Sequence, residues 1–102
     1  MYKNMLPIGS VIRTVEGVRY LMICGRIVCA EGSDVIYDYV GCLYPEGIAG
    51  SDSLFFFNRD DIEQVLFIGF QDEQEIEFRT EILDNLKKLE VRDGEMTEVE
   101  EE

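Results

Sequence analysis

The side chains best able to do chemistry in this chain are carboxylates and three thiols, because the sequence contains no histidine. That absence removes the commonest general base and the commonest metal ligand together, and it forbids any nucleophile–histidine pair. Asp60, Asp61 and Glu63 form a tight acidic group that invites a metal or acid–base reading. They lack the spacing of a calcium loop, and neighbouring carboxylates on one helical turn point in different directions. Capping and solvation account for them. Gly47-Ile48-Ala49-Gly50 lacks the spacing of a phosphate-binding loop. Cys24, Cys29 and Cys42 make no CxxC pair and lie in strand-like segments, so they read as reduced thiols packed as small apolar residues. The expectation is a non-enzymatic protein with no catalytic residues, no cofactor and no metal.

The aromatic residues ask for more explanation. In Leu54-Phe55-Phe56-Phe57 successive side chains of a strand point to opposite faces, so they cannot all be interior. Either a helix covers the outward ones or they form an apolar patch for a partner. Tyr37, Tyr39 and Tyr44 suit the rim of such a patch, since tyrosine has an apolar body and a polar tip. The candidate partner-binding set is therefore Tyr37, Tyr39, Tyr44, Glu46, Phe55 and Phe57.

These residues sit in a pattern of short β-branched and aromatic runs between glycine turns, which predicts five strands. They fall near Ser10–Val15, Arg19–Cys29, Val35–Leu43, Leu54–Phe57 and Val65–Phe70. Gly25, in the middle of the long second run, marks a bulge or a bend. Tyr44-Pro45-Glu46-Gly47 opens a loop, and Asn58 to Ile62 reads as one helical turn with Asn58 as its cap. From residue 72 to 89 the period changes. Ile76, Ile82, Leu83, Leu86 and Leu89 recur at helical spacing, with Asp72, Glu73 and Glu75 at the start and Lys87 and Lys88 at the end. Glu73, Glu75, Glu77 and Glu81 read as the solvated side of that amphipathic helix.

The fold class is thus mainly β (α+β). It is a small curled five-stranded antiparallel sheet or an SH3-like barrel, with one C-terminal helix. The core candidates are Val11, Leu21, Ile23, Ile27, Val40, Leu43, Phe56, Val65, Phe67 and Ile82. Residues 1–89 make the single domain, and 90–102 read as a disordered acidic tail.

The net charge is −13, and residues 90–102 hold seven of the 22 acids but one of the nine bases. Such a field repels nucleic acid and anionic lipid and favours a basic protein partner. No stretch approaches the roughly 18 apolar residues of a membrane span, and the N-terminus has no secretory apolar segment. A cytoplasmic location is expected. The helix stripe packs on its own sheet, on a partner or on a second copy in a homodimer.

LeuProIleGlySer at 6–10, TyrLeuMetIle…GlyArg at 20–26, and TyrAspTyrValGlyCysLeuTyrProGluGly at 37–47 resemble one bacterial family. So do PhePhePheAsn, AspIle and PheIleGlyPhe between residues 55 and 70. It is domain-of-unknown-function family 4176 of Gram-positive bacteria, and the likeness covers about residues 5–70. The resemblance implies a cytoplasmic accessory protein of type VII secretion, acting as a chaperone or targeting adaptor for an LXG-type toxin or as a partner of a secretion component. The alternative it implies is an immunity protein that occludes a toxin domain.

Overall fold

The computed structural model describes residues 4–30, 32–84, 89–92 and 95–98. Five strands form one antiparallel sheet: β1 (Val11–Thr14), β2 (Leu21–Cys29), β3 (Ile36–Leu43), β4 (Leu54–Phe57) and β5 (Ile62–Phe67). Their order is β4-β3-β2-β1-β5. The first four make a meander, and β5 returns to pair with β1. The sheet is open, with β4 and β5 at its two edges, so the curled-sheet form of the expected fold is the one adopted.

Local chemistry explains where the strands bend. Between the pairs Ile23↔Gly41 and Gly25↔Val40, Cys24 has no partner on β3 and forms a bulge in β2. Gly25 beside it is required by space: a Cβ there would stand 2.6 Å from Val40 Cγ1. The short turn before β5 spans Arg59–Asp61. Asn58 occupies its cap position, yet its side chain turns away and accepts the Asp38 N–H at 3.0 Å. Asp61 closes the turn instead, its carboxylate accepting the Asn58 N–H at 2.8 Å. This turn ends earlier than the sequence pattern suggested, so β5 begins at Ile62 rather than Val65.

Helix α1 (Glu73–Phe78) continues through one wider turn, Arg79–Leu83, in which Asp84 N–H reaches Arg79 O. Asp72 caps its start by accepting from Glu75 N–H at 2.9 Å. The expected helix was longer, to residue 89. Residues 85–88, with both lysines, lie outside the described residues, and Leu89 belongs to a strand. Strands β6 (Leu89–Arg92) and β7 (Glu95–Glu98) pair as an antiparallel hairpin. That stretch falls where composition predicted a disordered tail. Cross-strand pairing supplies there the order that a scarcity of apolar residues argued against.

The core is built from one face of the sheet, closed by the N-terminal segment and the helix. Ile12, Leu21, Ile23, Tyr39, Phe57 and Ile62 are buried with Met5, and Leu6, Ile27, Leu43, Val65 and Leu83 pack against them. Each such side chain contributes about 1.5–3 kcal/mol of burial. Glu75 is not on the solvated side of the helix. It turns inward onto Arg26 at 2.6 Å and anchors α1 to β2. Arg79 reaches the same carboxylate at 3.6 Å and the Met5 carbonyl at 3.4 Å.

Candidate protein-binding face

Two neighbouring rows of paired residues run across the sheet on opposite faces. Val65, Ile12, Leu21 and Leu43 form the inner row by successive cross-strand pairing. Phe67, Val11, Met22, Cys42 and Leu54 form the outer one. Strict alternation would put Val65 and Phe67 on the same face, since they are two apart. It fails because Val11 pairs with Phe67 while the next residue, Ile12, pairs with Val65, leaving Leu66 as an extra residue. The bulge sends Phe67 outward, where it is 61% exposed. Phe67 was expected in the core, and this is why it is not. Val11 is half-buried on the outer row while Ile12 takes the interior. Val40 and Phe56 are half-buried outside the core cluster, and Ile82 is exposed while Leu83 docks.

The outward row opens into a groove of about 450 Å³ lined by Gly9, Val11, Tyr20, Met22, Tyr44, Leu66 and Phe67. Exposed Ile68 and Phe70, the latter 78% exposed, extend the apolar chain just past β5. The backbone here is pinned. Ser10 is fully buried; its hydroxyl donates to Pro7 O at 2.8 Å and accepts the Gly69 N–H at 3.0 Å. A Cβ on Gly69 would stand 2.2 Å from Ile8 O, so only glycine permits this approach. The apolar side chains are thus presented by a fixed frame.

The six residues singled out from the sequence do not converge. Tyr44 lines the groove. Glu46 lies beside it, its carboxylate held by Arg19 Nη2, and this bond keeps its pKa below the usual carboxylate range. Tyr39 and Phe57 are corrections. They pair across β3 and β4, stack at 5.4 Å between ring centroids and are buried in the core. The Tyr39 hydroxyl accepts the Leu6 N–H at 2.8 Å, and burial pushes its phenol above the ordinary value. Phe55 lies on the same side of β4 as Phe57 but is 41% exposed, in a separate depression of about 250 Å³ with Thr14, Val15 and Asp61. Tyr37 is half-buried, with its ring 5.6 Å from Phe56.

Val11, Tyr20, Met22, Leu66 and Phe67 escaped the sequence reading. A signal for them existed: Ile62, Val65 and Phe67 are spaced by three and then two, which no unbulged strand can place on one face. The carboxylates near the turn have structural work. Asp61 closes the turn, and Glu63 pairs with Arg13 at 3.0 Å. Burial, then the neighbouring Cys42, pushes the Cys24 thiol up. Among the described residues no group of three His, Cys, Asp or Glu side chains could hold a metal, and no helix is long and apolar enough to cross a membrane.

The fold and this face define a small mainly-β domain, an open sheet with one helix, that carries an apolar groove on its outer side. The chain belongs to the family described as Domain of unknown function (DUF4176), whose model matches residues 5–78. The match covers the whole sheet and α1 and leaves the β6–β7 hairpin outside. No curated protein and no solved structure matches the chain.

Proposed function

We propose that the protein is a non-enzymatic binding module, a cytoplasmic chaperone or targeting adaptor that holds an LXG-type toxin of a type VII secretion system. The observation that carries the binding reading is the outward apolar row with its groove. A small domain that already has a closed core leaves Phe67, Ile68 and Phe70 largely in water, and contiguous apolar surface of this kind is typical of protein contact sites. The choice of an LXG protein as partner rests on the family resemblance.

The test is co-expression with an LXG-type toxin of the same organism, followed by size-exclusion chromatography. Co-elution with the toxin's LXG region is the expected result. Binding only to the C-terminal toxin domain, with rescue of poisoned cells, would replace the adaptor with an immunity protein. Separate elution of the two proteins would overturn the proposal.

A further inference from the structure

Strand β4 forms one edge of the sheet, and its sequence does nothing to protect that edge. Leu54 to Phe57 include no charge and no proline, and they pair with β3 in unbroken register. Edge strands ordinarily carry such guards, because their unpaired N–H and C=O groups invite another chain. The opposite edge has one: two register shifts break β5 where it pairs with β1. Among the described residues, no hydrogen bond reaches the main chain of Leu54–Phe57 from the side away from β3. A depression of about 250 Å³ marks that open side. Phe55, Phe56 and Phe57 line it together with Thr14 and Val15 from the end of β1. Successive side chains of a strand point to opposite faces, so a cavity that touches three in a row runs along the strand's edge. It is a slot, with the free edge of β4 on one side and Thr14 and Val15 on the other.

We infer that this slot takes a single extended segment of a partner protein, which adds to the sheet beside β4. The segment pairs its main chain with Leu54–Phe57 and sets an aliphatic side chain beside Phe55, which is 41% exposed. The far wall decides the occupant. The edge of a second copy would arrive with its own sheet behind it, and Thr14 and Val15 stand in that place. The net charge of −13 on each copy opposes their meeting as well. A lone strand is slim enough to enter. The slot shares no lining residue with the groove, so the two surfaces fail or succeed separately.

The test uses the full chain and a fluorescein-labelled peptide of about ten residues, alternating valine and threonine with a lysine at each end. Its twin has the same side chains and charge but carries N-methyl groups on consecutive central amides, so it cannot extend a sheet. Fluorescence anisotropy should show saturable binding of the first peptide, weakened about tenfold or more in the twin. Amide hydrogen exchange read by NMR is expected to slow about tenfold within Leu54–Phe57 and to stay unchanged along β5. Val15→Trp puts a bulky ring on the far wall and should weaken binding about tenfold or more, whereas Tyr20→Ser in the groove leaves it unchanged. Val15 is 54% exposed, so its replacement spares the core. Should that variant not fold by circular dichroism, the twin and the exchange data decide the outcome alone. Equal binding of the two peptides would mean contact through side chains only and would overturn the inference. So would protection elsewhere than β4, undiminished binding by folded Val15→Trp, or no binding to the wild type. A dimer of the free protein in analytical ultracentrifugation, with β4 already protected, would assign the edge to a second copy and overturn it too.

Discussion

The inner row, Val65–Ile12–Leu21–Leu43, and the outer row, Phe67–Val11–Met22–Cys42–Leu54, lie one residue apart on the same strands. Both are apolar throughout. The inner row is closed by Met5, Leu6 and Leu83 and holds the fold together. The outer one ends in exposed Phe67 and borders a groove. Apolar composition alone therefore does not assign a residue to the core. What assigns it is whether another part of the chain covers that side, and the helix and N-terminal segment can cover only one.

If this division is right, substitutions on the two faces should separate stability from binding. The largest loss of stability is expected inside: Phe57→Ala removes a buried ring stacked on Tyr39 and should cost about 3–5 kcal/mol in urea unfolding. Gly69→Ala comes next. Its methyl has no room against Ile8 O, and a loss of about 1–3 kcal/mol is expected. Retained stability would show that the frame behind the groove yields.

Tyr39→Phe leaves the Leu6 N–H without its acceptor, at about 1–3 kcal/mol. It carries a pH signature as well. The folded pKa of Tyr39 is raised above its ordinary value of 10.0, so the folded state holds the proton more tightly than the unfolded one. That contribution is complete below pH 10.0 and is lost as pH rises through the raised value. Tyr39→Phe should flatten the alkaline limb of a stability–pH curve, and an unchanged limb would mean that the hydroxyl is hydrated in the folded state. The smallest effect on stability is expected outside. Phe67→Ser with Tyr20→Ser should shift unfolding by less than about 1 kcal/mol.

Much of the scaffold was legible in the sequence. Strand β4 falls on Leu54–Phe57 as its aromatic run required, and the turn after it sits at Arg59–Asp61. What period-two reading could not supply was the bulges. Leu66 reverses the face of Phe67, which was therefore placed inside, whereas Tyr39 lies on unbulged β3 four residues from Leu43 and shares its inner face. Nor did any local pattern show that Met5 to Ser10, an irregular segment, would pack into the core and fix Gly69. Glu75 looked like one more exposed helix acid, because its partner Arg26 is 49 residues away. The candidate face suffered most, because it is assembled from β1, β2, β5, the segment before β1 and two loops. Of its lining only Tyr44 was foreseen.

The most direct test of the central claim is the affinity of the protein for an LXG-type toxin, its proposed partner, measured for the wild type and for the Phe67→Ser, Tyr20→Ser variant after matching their melting curves. Binding by the wild type, with a loss of about tenfold or more in the equally stable variant, is the predicted result. Equal affinity of the two proteins would contradict it, because the outer apolar row would then be a bystander to binding.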